Sequence, residues 1–185
     1  MVAFLEIKLP PSDSHSFQPG SRLQIFACRE HDDIAGDVYS GYTAFDNASR
    51  IVALPDEYWN ITDGHYVLRL LSPTTKTVES KQESRLAHQY LAATIASEDS
   101  QDGFKLFGQP YWVQHAEPHQ CSCGAPMELL LQIPDGHGFR MADGAEEQPN
   151  SFSRMEYCIF LGNQLYLLGC TSQCNPYALW PVLQN

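Results

Sequence analysis

The chain has 185 residues, of which 43% are hydrophobic and 18% charged, so it can form the core of one domain and is not a globally disordered chain. The formal net charge of −11 argues against binding to nucleic acid or to an anionic membrane, since both call for lysine and arginine. It is compatible with a basic protein partner, because opposite charges steer the encounter.

The N-terminal part predicts β-strands separated by polar turns. Phe4–Leu9 alternates apolar and polar residues, which is typical of a half-buried strand, and Pro10 ends it. Further strands are predicted over four segments: Arg22–Cys28, Val38–Phe45, Ile51–Leu54 and His65–Leu71.

The middle of the chain predicts one principal helix. Ser80-Lys-Gln-Glu83 fits a capping box, in which the serine and the glutamate each bond the other's backbone amide. The apolar residues that follow, from Leu86 to Ile95, recur at spacings of three to four. This pattern predicts a helix from about Lys81 to Ala96.

The C-terminal part again predicts strands. Met127–Ile133 is one, and Met155–Phe160 and Gln164–Cys170 are expected to form a hairpin that turns at Gly162-Asn163. The segment Pro134–Asn150 is rich in glycine and acidic residues, which favours a mobile surface loop.

The two ends of the chain resemble each other. Phe4-Leu-Glu-Ile7 resembles Leu130-Leu-Gln-Ile133, and Arg22–Cys28 resembles Gln164–Cys170. We therefore predict a mainly β (α+β) fold, a duplicated antiparallel β-sheet domain with one principal helix. The single domain spans 1–185, with β halves at about 1–75 and 105–185 joined by a helical segment at 76–104.

Six cysteines are present, and the compartment decides how to interpret them. Glu6 interrupts the N-terminal apolar run, so a signal peptide is not indicated, and no apolar stretch approaches the length of a membrane helix. A cytoplasmic location is therefore expected, where disulfides are rare. Cys28 and Cys158 lie in apolar strands and are expected in the core.

The other four cysteines form two close pairs. Cys121-x-Cys123 and Cys170-x-x-x-Cys174 supply the four thiolates that a tetrahedral structural zinc ion takes. His115 and His119 lie beside the first pair and could replace a cysteine. Buried thiols without metal remain the alternative, because neither pair has the usual C-x-x-C spacing.

The C-terminal half carries a recognisable set of residues: Gly108-Gln-Pro110, Trp112, Gln114, Cys123-Gly124, Pro126-Met127, Leu130–Ile133, Tyr166, Cys170, Trp180 and Gln184. This set resembles the YwqG-like family of domains of unknown function and is distantly similar to the C-terminal part of programmed cell death protein 2. The N-terminal Phe4–Ile7 and Leu23–Phe26 are similar to the first half of that family. The cysteine motif here is one residue shorter than the family's C-x-x-C-G.

The resemblance implies a β-rich duplicated fold without known enzyme activity. The programmed-cell-death relatives act as chaperones for a ribosomal protein, and bacterial members are suspected immunity or accessory proteins. The sequence itself contains no G-x-S-x-G, H-E-x-x-H or phosphate-loop motif. We therefore expect a non-enzymatic protein-binding module.

Acidic loops and aromatic residues are the candidate contacts for a basic protein partner, since binding residues concentrate on loops and tyrosine and tryptophan are favoured at interfaces. They are Asp32, Asp33, Tyr42, Trp59 and Glu146. The alternative is a zinc-dependent hydrolase that uses the cysteine and histidine cluster with Glu117, which would need an open position on the metal.

Overall fold

A computed structural model describes residues 2–11, 15–30, 66–74, 85–87, 89–90, 93–95, 103–149 and 151–185. Over these ranges the chain forms ten strands: β1 Val2–Lys8, β2 Arg22–Ala27, β3 Tyr66–Leu71, β4 Ala93–Ile95, β5 Phe104–Leu106, β6 Met127–Ile133, β7 Phe139–Arg140, β8 Glu156–Tyr157, β9 Gln164–Cys170 and β10 Leu179–Gln184. The predicted mainly β fold is confirmed. In the same ranges, no helix has the length and apolar character needed to cross a membrane.

The first sheet is antiparallel with the order β1-β2-β3. The alternation of residues in its sequence explains which face of the sheet covers the core, because successive side chains of a strand point to opposite faces. In β2, Leu23, Ile25 and Ala27 are buried, whereas the intervening side chains are partly exposed. The apolar face therefore covers the core and the other face carries the polar residues.

The second sheet has the order β10-β9-β6-β5-β4 and is antiparallel except for the parallel pair β4–β5. Its interior strand β9, between β10 and β6, is buried along its whole length, which explains the nearly unbroken apolar run in its sequence. Gly169 is required there, since a Cβ atom at this position would collide with Leu130 of β6.

Three strands of each sheet pair in the same way. Leu5 pairs with Ile25 between β1 and β2, and Leu131 pairs with Leu167 between β6 and β9. Each of these two strand pairs has a β-bulge. It lies one residue before Leu5 in β1, at Phe4, and one residue before Leu131 in β6, at Leu130. β3 and β10 then complete the two units in equivalent registers on β2 and β9.

One continuous core joins the two sheets. Phe4 of β1 meets Phe139 of β7 edge to face, with ring centroids 5.2 Å apart. Tyr66 of β3 meets Phe160 in the same manner at 4.9 Å. The backbone amide of Leu70 donates to Pro176 O at 2.7 Å, which ties β3 to the segment before β10.

The predicted principal helix at Lys81–Ala96 is wrong. Ala93–Ile95 forms β4, which pairs with β5, and Leu86 forms an isolated β-bridge with Met141. Apolar spacings of three and four also fit two short extended segments, and β-branched Thr94 and Ile95 favour a strand. Long-range pairing therefore overrides the local pattern.

The segment 134–149 is also more ordered than a detached surface loop. It contains β7, which pairs with β8, and the buried side chain of Gln148. That side chain donates to Cys158 O at 3.0 Å and accepts from Cys158 N at 2.7 Å. The expectation of a mobile loop ignored these long-range bonds.

The predicted hairpin at Gly162-Asn163 is wrong as well. Phe160–Gly162 forms a 3-10 turn, with Leu161 at a positive φ of 58°. β8 pairs with β7, whereas β9 pairs with β6 and β10. The predicted strands Val38–Phe45 and Ile51–Leu54 lie outside the described residues.

Candidate metal centre

The first cysteine pair lies on a tight hairpin that leads into β6. The amide of Gly124 donates to Cys121 O at 2.8 Å, and the amide of Cys121 donates to Ala125 O at 2.9 Å. Gly124 has a φ of +86°, which an L side chain rarely adopts. The shortened Cys121-Ser-Cys123-Gly124 motif thus forms a three-residue turn that ends in a glycine bulge. We call residues 119–126 the cysteine hairpin.

The second pair lies where β9 ends. Cys170 is the last residue of β9, and the amide of Gln173 donates to its carbonyl oxygen at 2.9 Å. This turn carries Cys174 into the connection to β10. The amide of Thr171 donates to Pro126 O at 3.1 Å, which fastens the turn to the cysteine hairpin. The two pairs meet because Met127 of β6 pairs with Cys170.

The four sulfur atoms all lie within 4.8 Å of one another. The Sγ atoms of Cys121 and Cys174 are 3.5 Å apart, as are those of Cys123 and Cys170. A tetrahedral ion with metal–sulfur bonds of about 2.3 Å requires sulfurs about 3.8 Å apart. None of the chain's six cysteines, all within the described ranges, forms a disulfide. These four cysteines could therefore hold a metal ion.

The cluster combines buried and exposed thiols. Cys121 and Cys170 are buried, Cys174 is partly buried, and Cys123 is exposed. Burial raises the pKa of Cys123, but hydrogen bonds from the Ala125 amide and from the other three thiols outweigh it and lower the pKa to about 7. Burial is the largest of the causes that raise the pKa of Cys170 to about 11. One thiolate in this cluster is thus stabilised by the thiols around it.

His115, Glu117 and His119 are not part of this four-cysteine cluster. Glu117 Oε1 accepts a hydrogen bond from Gln184 Nε2 at 2.8 Å, and His115 Nε2 lies 3.8 Å from the same carboxylate oxygen. His119 packs against Trp180, with ring centroids 5.1 Å apart. Burial lowers the pKa of His119, while the charge of Glu117 opposes this.

A segment crosses the second sheet just before the cysteine hairpin, and we call residues 108–118 the strap. Four side chains of the sheet bond its backbone, and Lys105 of β5 is one of them, since its Nζ donates to Gln109 O at 2.6 Å. Gln132 Oε1 accepts from the Tyr111 amide at 3.0 Å, and Gln184 Oε1 accepts from the Gln114 amide at 3.1 Å. The hydroxyl of Tyr166 accepts from the Val113 amide at 3.0 Å and donates to Tyr111 O.

Sequence reasoning did not assign a role to Gln132 and Gln184. Both are almost fully buried, at 0% and 2% exposure. A glutamine within an apolar strand is itself a signal, because a buried amide needs hydrogen-bond partners. Here Gln132 Oε1 and both polar atoms of the Gln184 side chain bond the strap.

Of the predicted partner-binding residues, Asp32, Asp33, Tyr42 and Trp59 lie outside the described residues. Glu146 is exposed, but its carboxylate lies 2.6 Å from Arg29 Nη2 and 3.2 Å from Arg85 Nη1. These arginines offset its charge, which reduces what Glu146 can offer a basic partner.

We expect Gly124→Ala to weaken metal binding. The substitution places a side chain in the left-handed region, which costs about 1 kcal/mol, and this strain falls on the turn that positions Cys121 and Cys123. The matched control is Gly144→Ala, since Gly144 also has a positive φ and open space around it but lies away from the cluster. Competition with a chromogenic chelator should show a lower metal affinity for Gly124→Ala alone. Equal affinities would contradict the role assigned to this turn.

Comparison with known proteins gives no relative for this chain. No protein-family model matches it, and neither does any curated protein or solved structure. The resemblance to the YwqG-like family therefore stays a prediction, and the chain's own residues are the basis for the function proposed below.

Proposed function

We propose that this chain is a non-enzymatic protein-binding domain whose cysteine hairpin is stabilised by one structural zinc ion. The observation that carries the proposal is the convergence of four cysteine sulfurs within 4.8 Å. Four thiolates in a tetrahedral arrangement favour zinc or iron over calcium and magnesium, which take oxygen ligands. Among these metals, zinc is the usual ion of structural sites with four cysteines.

The same arrangement supports a structural rather than a hydrolytic role. Four cysteines fill all four positions of a tetrahedral ion, so no position remains for the water that a hydrolase activates. Glu117 in addition bonds Gln184, which holds the strap. A metal held by these cysteines would instead join the cysteine hairpin to the end of β9 and to the turn that follows β9.

Metal analysis of protein purified without added metal tests the zinc proposal. We expect one zinc ion per chain, lost in Cys123→Ser because only three thiolates remain. Cys28→Ser is the control, since Cys28 lies outside the four-cysteine cluster, and it should retain the ion. A metal-free wild-type protein that also fails to take up zinc on titration would contradict the proposal.

The protein-binding part of the proposal is supported by charge and by the exposed surface. The net charge of −11 favours a basic partner. The described part of the chain also exposes large apolar side chains, among them Phe152 at 55% and Met155 at 72%. Isolated exposed apolar residues are common, so the charge carries this part of the argument.

Pull-down from native cells should recover a basic protein, and its association should slow as ionic strength rises, because salt screens the attraction. The double variant Asp32→Asn with Asp33→Asn should slow association more than Glu146→Gln, whose carboxylate is already paired with arginines. Stopped-flow or surface-binding kinetics measure this. A partner whose association rate is independent of salt would contradict the charge argument.

We also propose that the two three-stranded units arose by duplication within the YwqG-like family and that the domain works in the cytoplasm. Their common strand order, register and bulge position support the duplication. Residues that carry the resemblance occur together at the strap, among them Trp112, Tyr166 and Gln184. Thiols without disulfides suit a reducing compartment.

A further inference from the structure

The four-cysteine cluster combines one exposed thiol with three thiols that are partly or fully buried. Residues 122–124 at the tip of the cysteine hairpin are all exposed, and Cys123 is one of them. Apart from its chain neighbours, no described atom lies within 4 Å of the place where a Cβ atom of Gly124 would stand. Cys121 and Cys170, by contrast, are only 2% and 1% exposed. A small oxidant in solution therefore reaches Cys123 before the buried thiols.

Cys123 and Cys170 are placed to form a disulfide. Their Sγ atoms are 3.5 Å apart, whereas a disulfide bond is about 2.0 Å long, so the two sulfurs must approach each other by about 1.5 Å. Cys170 is held in place, because it pairs with Met127 and its amide donates to Ala178 O at 3.0 Å. The approach therefore falls on the exposed tip of the hairpin, where a movement disturbs no buried side chain.

The other two cysteines of the cluster are left as a second pair. The Sγ atoms of Cys121 and Cys174 are also 3.5 Å apart. A disulfide between Cys123 and Cys170 would use two of the four thiolates, so only this second pair would remain for a metal ion. Structural zinc sites have four protein ligands, and two thiolates hold zinc far less tightly than four. Formation of this disulfide would therefore release the ion.

We propose that the four-cysteine cluster is a peroxide-responsive switch, in which oxidation joins Cys123 to Cys170 and releases the zinc ion. The inference rests on the proposed zinc site and adds its regulation. Cys170 is the last residue of β9, so the new bond links the hairpin to the same strand end that the metal does. The hairpin thus stays attached to the second sheet after the ion has left.

One molecule of hydrogen peroxide balances the oxidation. The Cys123 thiolate attacks a peroxide oxygen, the O–O bond breaks, hydroxide leaves, and the sulfur becomes a sulfenic acid. The Cys170 thiolate then attacks this sulfur, the S–O bond breaks, a second hydroxide leaves, and the disulfide forms. The two sulfurs together lose two electrons to the peroxide, and two protons from the solvent convert the hydroxides to water. A dithiol reductant reverses the step by thiol–disulfide exchange.

Titration of zinc-loaded wild-type protein with hydrogen peroxide tests the switch, with the dye 4-(2-pyridylazo)resorcinol reporting free zinc. We expect one zinc ion to be released for each peroxide molecule consumed, and dithiothreitol with added zinc should reload the protein. Alkylation and mass spectrometry of the oxidised protein should show a disulfide between Cys123 and Cys170, with Cys121 and Cys174 alkylated as free thiols. Cys28→Ser should respond as the wild type does, since Cys28 lies outside the cluster. Zinc release with any other disulfide would overturn the inference.

Two variants with three cluster thiols each test the pairing. Cys170→Ser removes the thiol that attacks the sulfenic acid, so dimedone added with the peroxide should label most of Cys123. Cys174→Ser is the matched control, because it makes the same change within the cluster but keeps Cys123 and Cys170. It should form the disulfide and show little dimedone label. Equal labelling of the two variants would contradict the assignment of Cys170 as the partner.

The zinc proposal and the switch fail in different ways. Wild-type protein that holds zinc and keeps it in excess peroxide, with all four thiols still reduced, would leave the zinc site intact and overturn the switch. Wild-type protein that takes up no zinc would contradict the zinc proposal and with it the release step. The disulfide map of that metal-free protein would still decide whether peroxide joins Cys123 to Cys170.

Discussion

Removal of the metal with a strong chelator is expected to lower the melting temperature by about 8 to 16 °C. Zinc that binds only the folded chain stabilises it by about 4 kcal/mol when its free concentration is a thousandfold above the dissociation constant. For a protein of this size each kcal/mol shifts the melting temperature by about 2 to 4 °C. The loss is partial rather than complete unfolding, because Cys121 and Cys170 are only two of the many buried residues in the core that joins the two sheets.

Calorimetry with and without chelator measures this effect, and readdition of zinc should restore the original melting temperature. Cys123→Ser should melt at the lower temperature in both conditions, since it no longer holds the ion. Cys28→Ser should still respond to the chelator, because its four ligands are intact. A wild-type protein that contains zinc but melts at the same temperature after chelation would show that the ion does not stabilise the fold.

The second large effect is expected for Tyr166→Phe, which should destabilise the protein by about 2 to 4 kcal/mol. The Tyr166 hydroxyl accepts from the Val113 amide and donates to Tyr111 O. Its removal leaves two backbone groups without this partner, and each costs about 1 to 3 kcal/mol when it is shielded from water. Phenylalanine keeps the ring contact with Trp112, whose centroid is 4.5 Å away, so packing is preserved.

Urea denaturation measures the change in the free energy of unfolding. Tyr177→Phe is the control, since this half-buried tyrosine makes its hydrogen bonds to Asn175 and Leu179 through its backbone, and the substitution should change stability by less than about 0.5 kcal/mol. Proteolysis near Tyr111 should also become faster in Tyr166→Phe, because the strap is released from the sheet. Equal stability of the two variants would show that the strap is held by its other contacts.

The sequence by itself determined the strands β1, β2, β3, β6 and β9 and the four metal-ligand candidates. Alternating or unbroken apolar residues identify a strand locally, and cysteine is recognised by its chemistry wherever it stands. The repeated pattern around Phe4 and Leu130 also coincides with the bulges of β1 and β6. Each of these features depends only on residues that are close together in the sequence, so it can be recognised before the fold is known.

Only the tertiary structure decided how distant segments combine. The pairing of β6 with β9 brings Cys121 and Cys123 to Cys170 and Cys174, although the two pairs are far apart in the chain. The same kind of long-range pairing turned Ala93–Ile95 into a strand where local spacing predicted a helix. It also gave Gln132 and Gln184 their role in holding the strap. A backbone hydrogen bond between two strands forms only where the fold brings its donor and its acceptor together. A short stretch of sequence contains only one of these two groups, so it cannot predict the bond.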